Sequence, residues 1–236
     1  LGIEDYMMKY DNFLNGMGTN LNKAFNEVFI KGTINNEDIA IMKNNSFFNL
    51  SRGMQESISN MILNFTAHNA TIRHITPWVV EVSVNLSIKA SDKSYASIWN
   101  ITEIFSETFN ITGLVNPLYL INNDGLLNST IRKTTISNFG IGLSTHINQS
   151  YYMEHIDAPS YLMRFDNNLN PSPYGIESLV NASKIAEAGL VPKTRSAVDF
   201  IYFGSQVTAN CNILEIQDSR FYLDSGHLGI YQATCV

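Results

Sequence analysis

The stretch Trp78-Val79-Val80-Glu81-Val82-Ser83-Val84-Asn85-Leu86-Ser87-Ile88-Lys89-Ala90 alternates apolar and polar side chains over the eleven positions that begin at Val80. A period of two is typical of a β-strand that buries one face and exposes the other. A turn at residues 91–94 follows, and a second alternating run extends from Trp99 to Ile111. The two runs predict a long antiparallel hairpin with one buried face.

Three residues of the second run do not fit this alternation. Glu103 and Glu107 fall on the apolar face, and Ile104 falls on the polar face. Because a β-bulge shifts the phase of a strand by one residue, a bulge within this run would remove part of the mismatch.

The N-terminal segment, residues 1–30, has a different period. Its apolar residues recur in steps of four and three, which indicates an amphipathic helix. The members of this stripe are Ile3, Met7, Tyr10, Leu14, Met17, Leu21, Ala24 and Val28. Such a helix either packs on its own domain or forms a stalk that bundles with copies of itself.

The remainder of the chain combines further strands with helices. Short apolar runs predict strands at about 130–137, 161–165, 197–203, 213–216 and 221–223, and a helix is predicted over residues 174–188, ending at Gly189. We therefore expect an α+β fold, in which a long N-terminal helix (1–30) precedes a single domain (31–236) with an antiparallel β-sheet and packed helices.

Composition and charge exclude some classes of partner. Only 15% of the residues are charged and the net charge is −6, with no basic stripe that could neutralise phosphates, so a nucleic-acid partner is not expected. No run of eighteen apolar residues occurs, and Leu1 does not begin a signal peptide. We expect a mature or truncated ectodomain, with contact to a membrane only through a segment outside this chain.

Sequons for N-glycosylation are unusually frequent. The 28 asparagines and the 37 serines and threonines of this 236-residue chain would form about 4 sequons by chance, whereas ten are present. They begin at Asn44, Asn49, Asn64, Asn69, Asn85, Asn100, Asn110, Asn128, Asn148 and Asn181. Three of them, Asn85, Asn100 and Asn110, fall on the polar face of the predicted hairpin. Because glycans are attached at accessible sites outside the cytoplasm, we expect an extracellular or cell-surface glycoprotein.

The two cysteines, Cys211 and Cys235, are not spaced as zinc ligands. In an extracellular protein they would form one disulfide, and two separately buried thiols are the alternative.

Several polar residues could carry chemistry. Glu154, His155 and Asp157, with His146 nearby, could supply metal ligands or an acid–base pair, although the spacing of known zinc motifs is absent. The sequence Asp224-Ser225-Gly226-His227 predicts a turn between strands rather than part of a hydrolase motif.

A calcium loop is the other candidate. Asp166, Asn168, Asn170 and Glu177 occupy positions 1, 3, 5 and 12 of an EF-hand-like count, but Pro171 stands where that loop needs glycine. A polar loop that ends in a helix N-cap explains the same residues. We expect no metal, no cofactor and no catalytic site.

Several stretches together resemble a family of archaeal cell-surface proteins related to type IV pilins. They are residues 31–35, 41–45, 77–85, 96–100, 113–122 (Gly-Leu-Val-Asn-Pro-Leu-Tyr-Leu-Ile-Asn), 172–180 and 196–203. The resemblance implies a globular head displayed outside the cell and an N-terminal apolar helix that is cleaved by a prepilin-type peptidase or kept as an anchor. The chain departs from that plan at Leu1, where the apolar anchor is missing.

These observations predict an extracellular structural glycoprotein that is not an enzyme. It would be a subunit of a pilus-like surface filament, a homopolymer of copies of itself. The first alternative is a monomeric adhesive or ligand-binding ectodomain. The second is a secreted hydrolase that uses the region of His146, His155 and Asp157.

Overall fold

A computed structural model describes residues 21–123, 126–127, 129–191, 194–204, 211–216 and 221–236. The fold is mixed α+β with antiparallel sheets and several helices, which confirms the predicted class at that level. Helix α1 (Leu21–Lys31) coincides with the last part of the predicted N-terminal helix, and residues 1–20 lie outside the described residues.

Contacts within the chain divide it into two compact units. Unit 1 contains the described residues up to Ile75 together with Val79–Asn110, and unit 2 contains Thr76–Trp78 and Ile111–Val236. A boundary at residue 30, as expected from the sequence, stays a prediction.

Unit 1 is built around a three-stranded antiparallel sheet. After α1 come β1 (Thr33–Ile34), β2 (Glu37–Asp38), a short 3₁₀ helix (Ala40–Met42), α2 (Phe47–Ser57), β3 (Met61–Thr76), β4 (Val79–Asp92) and β5 (Ile98–Asn110). The strand order in the large sheet is β3-β4-β5, so β4 is central. Ala24 and Val28 of α1 are buried, as are Val80 and Val84 of β4.

The β4–β5 pairing confirms the predicted antiparallel hairpin, but the expected buried face is wrong for β5, none of whose residues is buried. The expected bulge is not present either. Pairs run without interruption from Val79 opposite Asn110 to Ser91 opposite Ile98, so β5 contains no bulge against β4. Glu103 and Glu107 therefore do lie on the same face as Val80 and Val84. Asn85, Asn100 and Asn110 share the opposite, polar face.

Unit 2 consists of short elements. They are α3 (Pro117–Asn122), α4 (Phe139–Asn148), β6 (Tyr152–Glu154), a 3₁₀ helix (Met163–Asp166), β7 (Ile176–Ser178), α5 (Ala182–Glu187), α6 (Asp199–Phe203), a second 3₁₀ helix (Leu214–Ile216) and α7 (Ser225–Ile230). Four helices begin at side-chain caps, which are Asn116, Asn138, Asn181 and Asp224. These caps satisfy backbone N–H groups that a short helix cannot satisfy itself.

Most short-element predictions in this unit are wrong. Residues 161–165, 197–203 and 213–216 contain short helices instead of strands, and residues 130–137 and 221–223 form only isolated bridges. The predicted helix over 174–188 is strand β7 followed by α5, with Gly189 in the positive-φ region at its end as predicted. Asp224–His227 begins helix α7 rather than forming a turn between strands. Apolar runs of four to seven residues carry too little periodicity to separate a buried helix from a buried strand.

The core of unit 2 includes aliphatic and aromatic side chains from α3, α4, α6 and the segments around Ile213 and Phe221. The disulfide between Cys211 and Cys235 is present, with the two Cα atoms 5.5 Å apart, which confirms that pairing. None of the helices formed by the described residues is both long enough and apolar enough to span a bilayer.

Candidate functional site

Strand β5 is the most exposed element of the sheet. All but one of its thirteen residues are exposed, and among the described strands it pairs only with β4. Large apolar side chains lie open on both of its faces: Ile98, Trp99, Ile104, Phe105 and Phe109. An open, apolar edge strand is a template for pairing with another strand.

The other edge of the sheet, strand β3, is capped by side chains at three of its backbone N–H groups. The backbone N–H groups of Ala70 and Ile72 donate to the side-chain oxygens of Asn26 and Asn22 on α1, at 2.7 and 3.4 Å. The N–H of Leu63 donates to Gln55 of α2. Side chains thus occupy positions that a neighbouring strand would otherwise take, and this protection makes the two edges unequal.

The sequons follow the exposure of the fold. Of the nine sequon asparagines that the structure describes, none is buried, and Asn128 lies outside the described residues. Asn44, Asn64, Asn69, Asn100, Asn110 and Asn148 are exposed, and Asn49, Asn85 and Asn181 are half-buried. The exposure leaves room for glycans, and the glycosylation itself stays a prediction.

A second feature, in unit 2, brings together two histidines and a glutamate. The Nδ1 atom of His155 lies 2.7 Å from Oε2 of Glu177, and the Nε2 atom of His227 lies 3.3 Å from the same oxygen. Glu177 and His227 are buried and His155 is half-buried. We call these three residues the His–Glu–His cluster.

Local structure explains why the three meet. Antiparallel pairing of β6 with β7 sets Met153 opposite Glu177 and brings His155, which follows β6, beside it. Helix α7 begins at Asp224, whose carboxylate accepts the N–H groups of Gly226 and His227 and so fixes the first turn that carries His227.

Other polar groups surround the cluster. Oδ2 of Asp224 lies 2.6 Å from Nδ1 of His227, and the hydroxyl of Tyr231 donates to Oε1 of Glu177 at 2.9 Å. Asp157 lies further out, with its carboxylate 3.7 Å from Nε2 of His155.

The charges of the cluster shift its pKa values strongly. Burial alone would raise the pKa of Glu177, but hydrogen bonds from both histidines and their charges lower it to about 2. Burial alone would lower the pKa of His227, but Glu177 and Asp224 raise it to about 9. The hydrogen bond to Glu177 also raises the pKa of His155, against the effect of burial.

The residues singled out in the sequence are only partly brought together. His155 and Asp157 are neighbours, whereas His146 is buried with Nδ1 3.2 Å from the hydroxyl of Thr134. Burial lowers the pKa of His146 to about 4. Glu154 instead accepts a hydrogen bond from the Trp78 indole and pairs with Lys133.

The calcium-loop residues are not arranged as that count requires. Both carboxylate oxygens of Glu177 are engaged by the cluster and by Tyr231, and Oδ1 of Asn168 accepts the N–H of Asn170. The pairing of Glu177 with His227 leaves no local signal in the sequence, because fifty positions separate the two residues.

Comparison with known proteins gives no relative to argue from. Neither the protein-family models, nor the curated proteins, nor the solved structures include a match to this chain.

Proposed function

We propose that this chain is an extracellular structural glycoprotein, a subunit of a cell-surface filament, that associates with copies of itself through strand β5. The observation that carries the proposal is the contrast between the two edges of the sheet. Side chains of α1 and α2 bond three backbone N–H groups of β3, whereas β5 presents a long edge with exposed apolar side chains. The disulfide and the exposed sequons support a location outside the cytoplasm.

The sequence of β5 is compatible with pairing to itself. In an antiparallel pair centred on Ile104, Trp99 of one copy faces Phe109 of the other, and the two Ile104 side chains meet. Glu103 then faces Phe105 and Glu107 faces Ile101, so no carboxylate opposes another. Aromatic pairs across strands stabilise a sheet by roughly 0.2–1 kcal/mol each. The result is a two-fold symmetric, six-stranded sheet.

Glycans would leave this edge available. Asn85, Asn100 and Asn110 project from the polar face, whereas strand pairing uses backbone groups in the plane of the sheet. A symmetric β5 pair forms a dimer and closes, so a filament needs a second contact. We assign that contact to the part of the predicted N-terminal helix that precedes α1, because α1 itself packs on unit 1, and this is in line with the resemblance to pilin-like proteins.

The test uses charge at the centre of the proposed pair. Ile104→Lys places two like charges opposite each other, and Ile104→Glu does the same with the opposite sign. We expect sedimentation velocity to show association of the wild-type chain, loss of β5-mediated dimers in each variant, and recovery when the two variants are mixed in equal amounts. Ile141→Lys is the control, because Ile141 is also a highly exposed isoleucine but lies on α4. A wild-type chain that stays monomeric at all concentrations, or variants that associate as the wild type does, would contradict the proposal.

A further inference from the structure

We propose that the His–Glu–His cluster binds one zinc ion through Nδ1 of His155, a carboxylate oxygen of Glu177 and Nε2 of His227. Each of the three residues offers a potential ligand atom within 4.8 Å of those of the other two. They come from three separate segments of unit 2, so a bound ion would cross-link β6, β7 and α7. This site is independent of the association through β5.

The hydrogen bonds of His227 require a proton or a metal ion between its Nε2 atom and the carboxylate of Glu177. The Asp224 carboxylate can only accept, so Nδ1 of His227 carries the proton of that 2.6 Å bond. In a neutral ring the Nε2 atom then presents a lone pair toward Glu177, whose carboxylate is also an acceptor. Two acceptors face each other stably only when a proton or a metal ion lies between them. A second imidazole nitrogen, from His155, points at the same oxygen.

The groups that form hydrogen bonds with the three candidate ligand residues are of the kind found around zinc sites. Histidine ligands of zinc usually donate their other ring N–H to a carboxylate, which fixes the tautomer and orients the ring. Asp224 holds His227 in this way, and Tyr231 holds the second oxygen of Glu177. Asp157 stands near the outer nitrogen of His155.

The types of ligand atom in the cluster favour zinc over calcium and magnesium. Two imidazole nitrogens and one carboxylate oxygen form a set found in zinc sites that keep a fourth position for water, whereas calcium and magnesium prefer oxygen ligands. Zinc–ligand bonds of about 2.0–2.2 Å place tetrahedral ligands roughly 3.3–3.5 Å apart. The His227–Glu177 distance of 3.3 Å fits as it stands. The His155–Glu177 distance of 2.7 Å must open by about 0.6 Å to reach that spacing.

The side of the cluster nearest to solvent is that of His155. The His155 side chain is 16% exposed and Asp157 beside it is 71% exposed, so an ion would approach from that side.

The experiment is zinc titration of the full chain after chelator treatment, with a chromophoric chelator as competitor. We expect one zinc ion per chain, a zinc-dependent rise of the melting temperature, and visible absorption bands of tetrahedral Co²⁺ when cobalt replaces zinc. His155→Ala should abolish this binding. Asp224→Asn, which keeps the helix cap, should weaken it about 10–100-fold.

The controls separate ligation from folding. His68→Ala removes an exposed histidine of β3 in unit 1 and should bind zinc as the wild type does. Circular dichroism checks that each variant is folded. Because His155 is half-buried, His155→Ala decides the question even if a variant of the buried His227 fails to fold. Absence of zinc binding to the wild-type chain, equal binding by His155→Ala, or preference for calcium over zinc would each overturn the proposal.

Discussion

Arg164 and Asp199 lie 35 positions apart in the chain, and their side chains meet at 2.7 Å with no exposed area on either. Asp199 also accepts the backbone N–H groups of Ser178 and Phe200, and Arg164 donates to the carbonyl of Ile176. This ion pair joins the 3₁₀ helix Met163–Asp166 to α6, and the hydrogen bonds to Ile176 and Ser178 connect both to β7.

Substitution of one member of the Arg164–Asp199 pair should strongly destabilise the folded protein. In Arg164→Met the Asp199 carboxylate stays buried without its countercharge, which costs about 3–5 kcal/mol of the free energy of unfolding. Urea denaturation followed by circular dichroism measures this loss. The double variant Arg164→Met/Asp199→Asn should lose less than the sum of the two single variants, because neither charge is then stranded.

The matched control is an ion pair of the same length at the surface. Arg73 and Glu81 are also 2.7 Å apart, but the Arg73 side chain is 68% exposed. Arg73→Met should cost no more than about 1 kcal/mol. Similar losses in Arg73→Met and Arg164→Met would show that burial does not set the importance of the Arg164–Asp199 pair.

Burial of the His146 imidazole should make the stability of the folded protein depend on pH. Burial lowers the pKa of the folded-state imidazole to about 4 from the usual 6.5, so the folded protein holds this ring neutral. As the pH falls from 6.5 to 4, the unfolded chain binds a proton that the folded chain does not, and the folded state loses up to about 3 kcal/mol. His146→Gln removes this contribution. Its free energy of unfolding, compared with that of the wild type across this range, should fall less steeply; parallel curves would contradict the assignment.

Glycan occupancy should follow the side-chain environment of each sequon. The Asn49 amide already donates to the carbonyl of Lys43, and the Asn181 side chain caps α5 through the N–H of Lys184. Asn100 and Asn148 are exposed. Glycopeptide mass spectrometry of the protein expressed through a glycosylating secretory pathway should therefore find higher occupancy at Asn100 and Asn148 than at Asn49 and Asn181. Equal occupancy at all four, or none, would contradict this expectation.

The predictability of the fold from sequence differs between the two units. The β4–β5 hairpin could be predicted because alternation over more than ten residues is typical of a strand and not of a helix, although burial of its apolar face does not extend to β5. In unit 2 the elements are three to ten residues long, and caps such as Asn116 and contacts between distant residues decide their structure. Propensity carries little weight at that length.

The His–Glu–His cluster could likewise be predicted only in part from the sequence. His155 could be singled out from the sequence because acidic residues stand beside it. The sequence puts Glu177 at the twelfth position of an EF-hand-like count and predicts a polar loop that ends in a helix N-cap, but Glu177 lies on strand β7 and faces His155 and His227. Its role depends on the β6–β7 register and on the position of α7, which only the folded chain defines.

Hydrogen–deuterium exchange at the backbone of β5 tests the central claim most directly. If β5 pairs with β5 of a second copy, the outward N–H groups of this strand should become protected as the protein concentration rises. Amides of β4, already paired on both sides, should not change. In the Ile104→Lys variant, the outward N–H groups of β5 should exchange fast at every protein concentration. Exchange in wild-type β5 that is independent of concentration would contradict self-association through this edge.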